Sequence, residues 1–159
     1  MPTTHAGRTR RQIESRSPQA TLDLARALAS AAQPGDLIAL HGELGAGKTQ
    51  LAKGFGAGLG VSVTINSPSY VLMAEYEGRL PLFHIDLYRL ETGVDARAAG
   101  LLDERQAAGV SLIEWAERLG PDLPAERLDI LISGSADEPR TIELSATSDD
   151  LVRYLEAIG

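Results

Sequence analysis

Gly42-Glu43-Leu44-Gly45-Ala46-Gly47-Lys48-Thr49 sits between a short apolar run, Leu37 to Leu40, and a helical pattern through Leu51, Phe55 and Leu59. The octet fits G-x-x-x-x-G-K-[ST]. Its glycines allow a tight wrap that points successive backbone N–H groups inward at a polyphosphate, and the helix that follows adds its positive N-terminal end. In such a loop Lys48 reaches the terminal phosphates and the Thr49 hydroxyl completes a magnesium shell. The strand–loop–helix context is the one this chemistry requires, so Gly42, Glu43, Leu44, Gly45, Ala46, Gly47, Lys48 and Thr49 are the expected nucleotide-binding residues.

A magnesium nucleotide site needs a further acidic contact, usually at the end of another strand. Leu82-Phe83-His84-Ile85-Asp86 supplies one, with Asp86 expected to face the metal rather than only to cap the next turn. Glu114 ends the apolar run Val110 to Ile113. Three readings of it are open: a magnesium ligand, a base that orients water, or a cap on the following turn. His84 alternates along its strand, and such a histidine is more often a satisfied core residue than a ligand. The chain has two lysines, Lys48 and Lys53, and neither follows an asparagine. The N-K-x-D guanine-reading motif is therefore absent, which favours ATP over GTP.

The rest of the chain fits one α/β domain. Met1 to Gln12 reads as a mobile basic lead-in and residues 13–159 as a single folded unit, with Arg11 to Ser15 as a short edge strand. Ser17-Pro18 starts a helix, a hydroxyl cap followed by proline at the first helical position. Gly54, Gly56 and Gly58 weaken the helix after the phosphate loop by about 0.8–1 kcal/mol each, which close packing against the sheet would justify. Tyr70 to Tyr76 and Leu80 to Asp86 read as one hairpin. Leu128 to Ile132 and Thr141 to Leu144 read as a second, near the C-terminus. Helices are expected over Val94 to Ala108 and over Ser148 to Ile158.

Composition narrows the class. A net charge of −7 argues against a broad phosphate-backbone binder. With no cysteine there is no disulfide framework, thiolate metal site or cysteine nucleophile, which fits a reducing cytoplasm. The longest uncharged stretch, Gly54 to Ala74, is interrupted by Gly, Ser, Asn and Pro and does not read as a membrane span.

Three further pieces follow the phosphate loop in order: Ser67-Pro68-Ser69-Tyr70, His84-Ile85-Asp86-Leu87-Tyr88-Arg89-Leu90 and Ile113-Glu114-Trp115-Ala116-Glu117. Together with the loop, this set resembles the TsaE (YjeE) family, the P-loop ATPase subunit of the bacterial machinery that forms threonylcarbamoyladenosine in tRNA. The resemblance spans roughly Ser17 to Ser148. Ser69 stands where the family usually has Thr, and Glu43 where it often has Asp; both keep the class of functional group.

The resemblance implies a P-loop NTPase fold, a mixed, mainly parallel sheet with helices on both faces. It implies ATP and Mg2+ as cofactors, slow hydrolysis by the chain alone, and TsaB and TsaD as partners in a heteromeric complex that hydrolysis resets. Contact with tRNA would then run through those partners. Carried onto this chain, Thr49, Asp86 and Glu114 surround the metal, and Lys48, Asp86 and Glu114 carry the catalysis. Ser67, Ser69 and Tyr70 belong to a nucleotide-sensing loop. Tyr88 and Arg89 serve the site or the partner surface, and Arg140 is a candidate nucleotide contact. The competing readings are a small P-loop metabolite kinase and a nucleotide-gated binding module whose hydrolysis is incidental.

Overall fold

The computed structural model describes residues 3–5, 8–43, 45–63, 65, 73–88, 104–135 and 137–159. They form one mixed sheet from β1 (Thr3–His5), β2 (Arg8–Ser15), β3 (Leu37–His41), β4 (Met73–Tyr76), β5 (Leu82–Asp86), β6 (Val110–Glu114), β7 (Leu128–Ser133) and β8 (Arg140–Ala146). The spatial order is β1-β2-β8-β7-β3-β6-β5-β4. The central strands β7, β3, β6 and β5 run parallel, and antiparallel strands flank them on both sides. β7 and β8 make the expected C-terminal hairpin.

Parallel strands covered on both faces have to be apolar nearly throughout, and β3 and β6 meet that condition. Leu37 to Leu40 and all of Val110 to Glu114 are buried. On one face lie α1 (Pro18–Ala29), α2 (Lys48–Gly58) and α3 (Val152–Ala157), over a core that includes Ile38, Leu40, Leu82, Leu112 and Ile130. On the other face the 3-10 segment Ala116–Asp122 packs Ala116 and Leu119 against Ala39, Ile85 and Ile113.

α1 begins as its sequence dictates: the Ser17 side chain accepts from the Ala20 amide at 3.0 Å, and Pro18 opens the first turn. Two glycines of α2 then set how closely it approaches α1. A Cβ on Gly54 would lie 2.4 Å from the Leu22 carbonyl oxygen, and one on Gly58 would lie 2.6 Å from Ala29 Cβ. The sequence suggested packing against the sheet as the reason for these glycines. Only Gly56 faces that way, toward Ile65 and Leu82, whereas Gly54 and Gly58 serve helix–helix contact.

The N-terminal region differs from the mobile lead-in expected of Met1 to Gln12. Arg8 already lies in β2, and β2 sits between β1 and β8, so it is not an edge strand. Two arginines of that basic lead-in, Arg8 and Arg11, have acceptors within the fold. Arg11 donates to the carbonyls of Leu155 and Gly159, and Arg8 pairs with Asp129 at 2.8 Å. At the other terminus, the helix expected from Ser148 is shorter. Ser148 Oγ donates to Glu126 instead of capping, and α3 starts at Val152.

The first part of the hairpin strand expected over Tyr70 to Tyr76 lies outside the described residues, as does most of the helix expected over Val94 to Ala108. Its last part, Glu104–Ala108, is a 3-10 turn. Among the described residues no helix is long and apolar enough to cross a membrane.

Candidate nucleotide site

β3 delivers the chain to the loop at the carboxyl edge of the parallel strands, where α/β sheets place their ligands. Gly42 needs its missing side chain, because a Cβ there would sit 2.7 Å from the Ile132 carbonyl oxygen. Gly47 takes φ +114°, a left-handed conformation that turns the loop into α2. The first turn of α2 carries no acidic residue, and no side chain caps it. The positive end of α2 therefore has no carboxylate in its own first turn. Ala46 is buried, Glu43 and Gly45 are exposed, and Thr49 is half-buried in the first turn. Leu44 lies outside the described residues.

Lys48 is 6% exposed. Its Nζ donates to the Gly42 carbonyl at 2.6 Å and lies 3.9 Å from the centroid of the Trp115 ring. Asp86 and Glu114 are direct register partners at the carboxyl ends of β5 and β6. Alternation puts them on the face of Leu82 and Leu112, beneath the helix that carries Lys48.

Burial is the main cause that raises the Asp86 pKa, and the charge of Glu114 pushes the same way. The Tyr88 amide, His84 and Lys48 pull it back. Asp86 Oδ1 accepts from the Tyr88 amide at 3.0 Å, so it caps the turn after β5 while also standing within the field of Lys48. Of the two readings of this carboxylate, the cap on the next turn is present.

Glu114 is 3% exposed, and its Oε2 accepts from His84 Nε2 at 2.6 Å. His84 is buried and is only half the satisfied core histidine expected: its Nδ1 has no hydrogen-bond partner among the described residues. Its bond to Glu114 joins two strands, and the sequence offered one hint of it. His84 and Asp86 are two residues apart, hence on one face.

Trp115 takes φ +59°, a left-handed conformation that a bulky side chain adopts only under restraint. The consequence is visible at its indole, which meets Lys48 on one side and Tyr88 at a ring separation of 5.1 Å. No sequence signal distinguishes this backbone state from an ordinary one. Arg140, a candidate nucleotide contact from sequence, donates Nε to the Ala46 carbonyl at 3.0 Å and Nη2 to the Gly45 carbonyl at 3.4 Å. It therefore braces the phosphate loop from β8. Beside it a cavity of about 460 Å³ is lined by Ser17, Thr21, Gly47, Gln50, Glu138 and Arg140. Ser67, Ser69, Tyr70 and Arg89 lie outside the described residues.

The donor set suits magnesium better than a metal held wholly by protein. Thr49, Asp86 and Glu114 offer oxygen, and among the described residues no group of three or more His, Asp or Glu forms a cage. Mg2+ commonly takes one or two protein oxygens and completes its shell with phosphates and water.

The chain is similar to known proteins over most of its length. Residues 15–142 match the family model described as threonylcarbamoyl adenosine biosynthesis protein TsaE. The tRNA threonylcarbamoyladenosine biosynthesis protein TsaE of Bacillus subtilis is 41% identical over 134 residues, covering 84% of each chain. The protein of the same name from Treponema pallidum is 37% identical over 131 residues, covering 82% of this chain and 97% of the relative. The crystal structure of Bacillus subtilis YdiB superposes with a TM-score of 0.76 at 35% identity, covering 98% of this chain and 97% of that one.

Proposed function

Because this chain belongs to the TsaE family, we propose that it is an ATPase acting in the formation of threonylcarbamoyladenosine in tRNA. Its partners in this reading are TsaB and TsaD, and hydrolysis resets their complex between rounds. The observation that carries the proposal is the convergence of Lys48 with the register pair Asp86 and Glu114 at the carboxyl edge of the sheet.

In this reading the backbone from Gly42 to Gly47 and the N-terminus of α2 bind the phosphates. Lys48 moves from the Gly42 carbonyl onto the terminal phosphates. Thr49, Asp86 and Glu114 would hold Mg2+, which would supply charge neutralisation for phosphoryl transfer. Glu114, aligned by His84, is placed either to bind the metal or to orient water. Phosphoryl transfer to water needs mainly positioning and charge neutralisation, so this small set suffices. Slow turnover alone follows if partners complete the site. Ser67, Ser69 and Tyr70 are the proposed nucleotide-sensing loop, and the absent N-K-x-D motif favours ATP.

The test is phosphate release from ATP by the purified chain, alone and with TsaB and TsaD. Stimulation by the pair, lost in Lys48→Ala, is the expected result. Transfer of phosphate to a small acceptor would identify a kinase instead. Repeated rounds of tRNA modification on a non-hydrolysable analogue would identify a binding module.

A further inference from the structure

On the face of the sheet opposite α2, the last residue of β3 makes a connection that phosphate binding does not use. His41 immediately precedes Gly42. Its Nε2 lies 3.0 Å from Asp129 Oδ1 on β7, and its Nδ1 lies 3.2 Å from Glu117 Oε2, two residues beyond Trp115. Each ring nitrogen therefore faces a carboxylate oxygen. A neutral imidazole has one N–H and would aim its other lone pair at a carboxylate; only the imidazolium donates to both.

The charged groups around this ring are not equivalent. Asp129 also accepts from Arg127 Nε at 2.9 Å and Arg8 Nη1 at 2.8 Å. Glu117 is 52% exposed at its side chain and is held on a 3-10 segment whose Arg118 lies 5.8 Å from the Trp115 ring centroid. If His41 loses its proton, it keeps one N–H; Asp129 is nearer and 14% exposed at its side chain, whereas half-exposed Glu117 can turn to water, so the Glu117 bond is the one that opens.

We propose that His41 is a positioning residue for the candidate nucleotide site: as an imidazolium it ties Glu117 to Asp129 and so holds Trp115 over Lys48. The left-handed backbone of Trp115 requires an external restraint, and a bond at the second residue beyond it supplies one. The hydrogen bond to Asp129 is the largest influence on the ring and raises its pKa above 6.5. Burial opposes it, and the charges of Asp129 and Glu117 add to it. The tie is thus present at acidic pH and lost as pH rises through that raised value. The consequence for nucleotide rests on reading Lys48 as the phosphate lysine; the tie itself does not.

Trp115 is the only tryptophan, so its emission reports the tie directly. In the full chain without nucleotide, emission scanned from about pH 5.5 to about pH 9 should show one transition above the ordinary histidine range. Glu117→Gln, at an exposed side chain, should move that midpoint down, and His41→Gln should abolish it. A flat wild-type profile, or an unchanged midpoint in Glu117→Gln, overturns the proposal. Titration with MgATP separates this inference from the proposed function. A pH transition with no response to MgATP upholds the tie and removes the nucleotide reading. A response to MgATP with pH-independent emission does the reverse.

Discussion

The Lys48 ammonium lies 3.9 Å from the centre of the Trp115 ring while donating to the carbonyl of Gly42, the first residue of its own loop. A cation so placed is held by a π face and by an uncharged oxygen, both weaker partners than a phosphate. The arrangement keeps the lysine nearly buried yet ready to exchange its partners for an anion. Lys48→Ala should therefore weaken MgATP binding about 10- to 100-fold, the span expected from losing a hydrogen bond to a charged group. Calorimetric titration checks this. Unchanged affinity would mean that the lysine does not contact the nucleotide.

Arg140 acts on the same loop from outside. It donates to the carbonyls of Ala46 and Gly45, so it pins two peptides of the loop that leads into α2. Arg140→Ala should weaken nucleotide binding by about tenfold with little loss of stability, in line with one or two net hydrogen bonds. Arg140→Lys should restore only part of it, because a single ammonium cannot reproduce the planar fork. Full affinity in both variants, measured by the same titration, would show that the loop holds its shape unaided.

The α1–α2 contact predicts a reversal of ordinary helix propensity. Alanine normally stabilises a helix over glycine by about 0.8–1 kcal/mol. At Gly54, however, the new Cβ would meet the Leu22 carbonyl oxygen at 2.4 Å and Ala25 Cβ at 2.8 Å. Both sit on a packed helix that can yield only by moving away. Gly54→Ala should destabilise by about 1–3 kcal/mol, the usual cost of overpacking, read as a lower urea midpoint with unchanged slope. A stabilised variant would mean that the helices lie farther apart.

This contact marks where local sequence stops being informative. The phosphate loop, the strands ending at Asp86 and Glu114, and the Ser17-Pro18 cap are legible because each depends on neighbours within a few residues. The place of β2 is not legible in this way, because its partner β8 lies more than a hundred residues away and the acceptors of Arg8 and Arg11 are equally remote. The same holds for the His84–Glu114 bond between strands and for the brace from Arg140 to Ala46. The backbone of Trp115 has a different cause: restraint from residues remote in sequence, which no periodicity encodes.

Alkaline pH should expose a buried cluster at the far edge of the sheet. Tyr154 donates its hydroxyl to Asp36, which also accepts two hydrogen bonds from Arg153, at 2.8 and 2.6 Å. Burial chiefly, then the bond to Asp36 and its charge, raise the Tyr154 pKa far above the ordinary phenol value near 10, while Arg153 opposes the shift. The folded state therefore keeps this proton when the unfolded chain has lost it. The stability it contributes is intact below about pH 10 and falls as pH rises beyond that. Spectrophotometric titration should show one of the chain's four tyrosines ionising only with unfolding. In Tyr154→Phe that step should vanish, at a cost of about 0.5–1.5 kcal/mol, because Asp36 keeps Arg153. Early ionisation of all four phenols would contradict the buried bond.

Asp86 and Glu114 are neighbouring carboxylates in one register pair. Adjacent carboxylates repel, and the charge of Glu114 adds to burial in raising the Asp86 pKa. An amide at position 114 keeps an oxygen that can accept from His84 Nε2 but removes the repulsion. Glu114→Gln should therefore melt at the same temperature as the parent or higher in metal-free buffer. It should also lose most partner-stimulated phosphate release, because a divalent cation between the strands then meets one carboxylate instead of two. Asp86→Asn shares the loss of turnover, and its amide can still cap the turn through the Tyr88 N–H. Thermal melts with and without Mg2+ separate the two effects: the parent should gain stability from the ion together with nucleotide, and both variants should gain less. A variant at either position with full turnover and an undiminished magnesium-linked shift would remove that residue from the metal site. A Glu114→Gln protein that melts well below the parent would instead assign Glu114 a structural role, chiefly as the partner of buried His84.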